Sequence, residues 1–214
     1  MINNEMLEDI LLVFEHSTKN NWKAISTKTI IRILYFSIAF NKFFNQTNPI
    51  PFSDTYDFYI DTSGLNMNDI SFLLAEFEHN SLVKKTNINE YILDTNNPNY
   101  LEIINESYKR NLFQEKSKWI SIVISILAIY GEESIYEFIF RDPEFLMKYK
   151  SQDNHNIDIS NESETFKILY KFKSAFELEL KKRDKRNLST QQYINLYFDY
   201  VFSTIIKKES IYND

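Results

Sequence analysis

Two glycines, Gly64 and Gly131, in 214 residues rule out most glycine-dependent folds and sites for this chain. A nucleotide-binding turn needs several glycines close together, so that bare backbone can approach the phosphates. Cysteine is absent and only three histidines occur, which removes thiolate nucleophiles and the usual zinc-ligand spacings. What remains is a mainly helical, aromatic-rich chain that reads as a binding subunit rather than an enzyme, with no cofactor expected.

Hydrophobic residues make up 43% and aromatics 16% of the chain, ample for a substantial core. The formal net charge of −6 is the wrong sign for a protein whose whole surface holds nucleic acid, so any DNA contact would be local. The opening Asn3, Asn4 and Glu5 lack the basic leader of a secretory signal, and the absence of cysteine fits a reducing compartment. A cytoplasmic protein is therefore expected. The longest apolar run, Ile120 to Tyr130, falls short of the ~20 residues that span a bilayer, so no membrane partner is expected.

Apolar spacing predicts a first helix through Leu7, Ile10, Leu11 and Phe14. Ser26 or Thr27 caps a second, running to Phe44, whose circumference is apolar nearly all round and therefore central to a core. Tyr56 to Ile60 reads as strand or extended loop. Asn66 to Asn80 reads as helix, followed by strand, polar turn and strand through Leu93. A core helix, a further helix and then a hairpin resemble a winged-helix module, with the hairpin as wing and the preceding helix in the recognition position.

Asn97-Pro98 starts a long helix with Leu101, Ile104, Tyr108, Leu112, Trp119, Ile122, Val123 and Ile126 along one stripe, bending or breaking near Gln114 to Lys118. Gly131 ends it as a left-handed cap. Short helices over Glu132 to Phe140 and Glu144 to Lys150 follow. Ser151 to Asn161 reads as a polar linker, and two helices, capped at Asn161 and at Ser189 with Gln192, complete the chain as a hairpin. The expected fold is thus mainly α with a small β-wing: a winged-helix-like module over 1–95, helices completing the core over 96–150, a linker over 151–161 and a C-terminal helical hairpin over 162–214.

Glu177, Glu179 and Lys181 suggest the metal-and-lysine half of a nuclease site. They fall in a helical pattern, however, where positions two apart point about 200° apart. His16, His79 and His155 lie in unrelated segments and read as surface residues, and no metal site is expected. Lys181, Lys182, Arg183, Lys185 and Arg186 form the one dense basic cluster, either a phosphate contact or a solvated helix end. Residues 54 to 78 carry Asp54, Asp57, Asp61, Asp69, Glu76 and Glu78 and no lysine or arginine. Phosphates would be repelled there, so this face is better suited to another protein. Tyr193 and Tyr200 fall off the main stripe of the last helix and read as interface anchors or as ordinary exposed aromatics.

The helix Thr29 to Phe40, the segment Tyr56-Asp57-Phe58-Tyr59, the run Asn80-Ser81-Leu82-Val83 before the hairpin, and Glu106-Ser107-Tyr108 with Trp119 together resemble a known family over residues 25 to 145. It is the small middle component of bacterial three-component ABC ATPase systems, including Lamassu-type defence systems built on an SMC-like ATPase. The resemblance implies a non-catalytic winged-helix adaptor in anti-phage or anti-plasmid defence that docks on the ATPase and links it to an effector, often a nuclease. No catalytic residue carries over. Ser81 stands where that family commonly has a glycine, and the region after Asn161 has no counterpart in it. The rival expectations are a winged-helix transcriptional regulator, which would dimerise and bind duplex DNA, and a metal-dependent nuclease.

Overall fold

The computed structural model describes residues 4–45, 51–52, 56–87, 90–140, 143–151, 155–157, 164–182 and 188–212. It is mainly helical with two small antiparallel sheets. In chain order the elements are α1 (Asn4–Lys19), β1 (Ile25–Ser26), α2 (Thr27–Phe44), β2 (Phe58–Asp61), β3 (Gly64–Met67), α3 (Ile70–His79), β4 (Val83–Asn87), β5 (Glu90–Leu93), α4 (Pro98–Ser107), α5 (Asn111–Tyr130), α6 (Glu132–Phe140), α7 (Pro143–Lys150), β6 (His155–Asn156), α8 (Glu164–Lys182) and α9 (Thr190–Tyr212).

Helix α2 is buried nearly all round, as its apolar circumference requires, with Ile30, Ile33, Leu34, Phe36 and Phe43 at or near zero exposure. Ser26 caps it by accepting the amide of Thr29 at 3.1 Å. Helices α1 and α5 pack on it, and the aromatic side chains of α8 and α9 close the remaining face. There Phe40 meets Phe198 and Phe43 meets Tyr170 and Tyr197, with ring centroids 4.3 to 5.9 Å apart. Ser189 and Gln192 form the expected reciprocal cap, each accepting the other's backbone amide.

The first sheet runs β1-β5-β4, so two residues just before α2 pair with the second strand of the hairpin. The second runs β3-β2-β6. Its β2–β3 hairpin occupies residues expected to be partly helical, and α3 begins at Ile70 rather than near Asn66. The cause is local: Asp61 accepts the amide and hydroxyl of Ser63, both at 2.7 Å, and Gly64 follows at φ 108°, which turns the chain back. A Cβ at Gly64 would lie 2.9 Å from the Tyr136 hydroxyl, the group that accepts the Leu65 amide. Within the expected linker, His155 and Asn156 pair with Ile60 and Tyr59 as β6.

The expected long helix from Asn97 is two helices, and its break falls at Tyr108 to Arg110, upstream of Gln114. Tyr108 turns its hydroxyl inward to Glu15 and Ser117, while the Gln114 amide donates to the vacated Tyr108 carbonyl at 2.8 Å. Leu101 and Leu112 are exposed, and Tyr100 and Phe113 are buried in their place. Gly131 ends α5 with φ 83° and ψ 140°, a positive-φ conformation that suits glycine but is not the left-handed helical one expected.

Candidate functional site

Helix α3 packs through Ile70, Leu73, Leu74 and Phe77, all buried, and turns its other side outward. That outer side carries Phe72, 53% exposed, with Ala75, Glu78 and His79 also exposed and Glu76 half-buried. Phe72 and Glu76 share one face of the helix. Their position off the buried stripe was legible in the spacing, although only the acids were singled out from it.

The C-terminus of α3 is a Schellman motif. The Leu82 amide donates to the Phe77 carbonyl at 2.9 Å and the Ser81 amide to the Glu78 carbonyl at 3.0 Å. Ser81 takes the left-handed conformation, φ 56°, at the position where glycine is the usual residue. Asn97 accepts the amides of Asn99 and Tyr100 and donates to the Ser81 carbonyl at 2.8 Å, so one asparagine both starts α4 and fastens it to the end of α3.

A groove of about 490 Å³ lies where α1, α3 and α4 meet. Leu7 and Leu11 from α1, Phe77 and Leu82 from the α3 motif and Ile103 from α4 supply its apolar surface. Each helix also places one carboxylate on it: Glu8, Glu76 and Glu102. None of its described lining residues is a lysine or arginine. Glu8 is tied to Arg110 at 2.7 Å, whereas among the described residues neither Glu76 nor Glu102 pairs with a cation. Glu8, Glu102 and Ile103 were not singled out by sequence reasoning, because nothing local says which helices will be neighbours.

The other expected acids do not converge with Glu76. Asp57 is exposed and accepts from the Asn68 amide group at 3.3 Å, Asp61 holds the hairpin turn, Asp69 precedes α3 at φ 62° without capping it, and Glu78 is exposed. Asp54 lies outside the described residues, as do Arg183, Lys185 and Arg186 of the basic cluster. Lys181 and Lys182 are exposed at the end of α8, where Lys182 approaches Glu179 at 3.7 Å. Glu177 and Glu179 lie on that same helix, and Glu177 accepts the Tyr193 hydroxyl at 3.0 Å. Tyr193 and Tyr200 are half-buried, both against Phe176. Among the described residues no three His, Asp or Glu side chains gather as a metal-ligand set.

The polar network of the core lies between α1 and α5. Asp9 is fully buried and Lys116 is 2% exposed. Lys116 Nζ lies 2.9 Å from Asp9 Oδ1, off its hydrogen-bonding direction, and donates to Oδ2 at 3.2 Å, while the Tyr56 hydroxyl donates to Oδ2 at 2.6 Å. Burial pushes the Asp9 carboxyl up to about 6 against the opposing pull of Lys116. Two turns on, His16, expected at the surface, is buried, with Nε2 2.7 Å from the Ser117 hydroxyl; burial holds its imidazole below the usual histidine range. Tyr108 donates to Glu15, which also pairs with Lys19. With its ion pair sealed from solvent, this network organises the core and offers a substrate no entry.

No protein-family model, curated protein or solved structure matches this chain. Among the described residues no helix is long and apolar enough to cross a membrane.

Proposed function

We propose that this chain is a non-catalytic adaptor whose N-terminal half is a winged-helix-like module that grips another protein. Helix, strand, helix, helix and hairpin, with β1 added to the hairpin as β1-β5-β4, is the order of elements in a winged helix, here with the β2–β3 hairpin inserted before α3. In that frame α3 holds the recognition position.

One observation carries the reading: the outward side of α3 bears Phe72, Glu76, Glu78 and His79 and, like the whole segment from 54 to 78, has no lysine or arginine. A duplex in that place would bring phosphates against carboxylates, whereas an exposed aromatic beside acids is the composition of a protein contact. The wing adds no net positive charge, since Lys84 and Lys85 are offset by Glu90 and Asp94, and Lys84 pairs with Asp94 at 3.1 Å. Taken with the family resemblance, the partner would be an SMC-like ABC ATPase, and the complex would serve anti-phage or anti-plasmid defence through an effector subunit.

Affinity purification of the tagged chain from its native host, with mass spectrometry of stoichiometric partners, tests this. A large coiled-coil ATPase in the eluate supports the adaptor. The chain recovered alone as a dimer bound to DNA would replace it with a transcriptional regulator.

A further inference from the structure

We propose that the groove between α1, α3 and α4 receives an amphipathic helix of the partner protein, one that sets lysine or arginine beside its apolar anchors. The inference rests on the adaptor reading and assigns its docking site.

Three features select this occupant. The groove has an apolar floor, formed by Leu7, Leu11, Phe77 and Leu82, and its α4 wall adds Ile103, a large aliphatic side chain left 38% exposed. The α1 side extends from Asn4 to Leu11, about two helical turns or ~10 Å, which matches the length over which a docked helix presents anchors from i through i+4 to i+7. Glu8 on the α1 edge is tied to Arg110, while Glu76 of α3 and Glu102 of α4 have no cation partner among the described residues, so the α3 and α4 edges favour a basic helix and oppose an acidic one. The same carboxylates disfavour a nucleic acid strand.

Charge pairs at such a rim govern association rate and choice of partner more than total affinity. Reversing two of them should still be plain, because each lost attraction becomes a repulsion. The expected loss for Glu76→Lys with Glu102→Lys is at least tenfold in partner recovered at physiological salt. Neither side chain supports the fold through an ion pair among the described residues, so the variant should melt as the parent does. Glu76→Gln with Glu102→Gln is the milder companion should the reversal perturb folding, with an expected loss of about threefold.

The experiment uses the full chain, tagged, expressed in its native host with a photo-crosslinking amino acid at Ile103 or, as control, at Met147, an exposed position on α7. Crosslinking at 103 and not at 147 to a peptide carrying at least two lysines or arginines on an apolar helical repeat, together with the loss on charge reversal, is the expected result. Undiminished partner recovery by both charge variants, or a crosslinked peptide that is acidic or uncharged, would overturn the groove assignment and leave the adaptor standing. A parent chain that recovers no protein partner would remove the adaptor reading and this one with it.

Discussion

Replacing Lys116 by methionine should make stability depend on pH in a way that the parent's does not. Methionine matches the lysine stem in length and leaves Asp9 buried with only the Tyr56 hydroxyl as partner. In the parent, the Asp9 carboxyl binds its proton up to about pH 6, against 3.8 when free, so the native state holds a proton that the unfolded state lacks across that window. The contribution of Asp9 to stability therefore falls as pH rises from about 4 to 6, at about 1.4 kcal/mol per pH unit, and levels once Asp9 is ionised opposite Lys116. Without the ammonium group the native carboxyl keeps its proton to higher pH, and the decline continues. The gap between parent and variant should be small at pH 5.5, about 1.4 kcal/mol at pH 7 and about 3 kcal/mol at pH 8, approaching the ~3–5 kcal/mol typical of a stranded buried charge. Every group other than Asp9 and Lys116 is common to both proteins and cancels in the difference. Urea unfolding followed by far-UV circular dichroism at the three pH values measures it. A gap that stays constant or narrows with rising pH would refute the assignment of Asp9 and Lys116 as a buried ion pair.

Further predictions follow from single positions. Ser81→Gly should stabilise by about 1 kcal/mol, since the left-handed conformation of the Schellman position costs a side chain that much; a lower urea midpoint would contradict it. Asn41 is fully buried on α2 with neither amide atom hydrogen-bonded, so Asn41→Leu should raise stability by about 1–3 kcal/mol by the same assay, and a loss would mean that the amide has a role. Gly64→Ala should cost about 2 kcal/mol through its φ of 108° and its collision with the Tyr136 hydroxyl, and thermal melts should show it costing less in a Tyr136→Phe background, which already lacks that hydroxyl, than in the parent. His16, held below its usual range, binds a proton more readily when unfolded, so the parent loses stability through this group as pH falls past 6.5; His16→Asn should flatten that limb of the pH profile.

The parts of this fold that were legible in the sequence were those fixed by local chemistry. The Ser26 cap, the Asn97-Pro98 start, the Ser189–Gln192 box and the apolar girth of α2 are each written within a few residues, and each stands as expected. The hairpin at 58–67 was hidden because its turn depends on Asp61 as acceptor and on one glycine facing a tyrosine 72 positions later. Tyr108 broke the long helix for a similar reason, since its partner Glu15 comes from α1. His16 read as a surface residue and Asp9 and Glu15 carried no signal, because nothing in α1 announces that α5 will cover them with Lys116 and Ser117. The acids of α3 were visible in sequence. Their companions Glu8 and Glu102 belong to helices that only the tertiary fold brings alongside.

The closing of α2 by α8 and α9 also bears on synthesis of the chain. Phe40, Phe43 and Phe44 are made early, yet the rings that cover them, Tyr193, Tyr197 and Phe198, emerge from the ribosome roughly 150 residues later, about 10–30 s at ordinary elongation rates. Through that interval the nascent N-terminal half carries a bare aromatic seam, a surface that chaperones hold and that neighbouring nascent chains aggregate on. A fragment ending before α8 would carry the same seam permanently. The helical hairpin at the C-terminus is therefore the covering that takes this seam out of reach of solvent and of other chains.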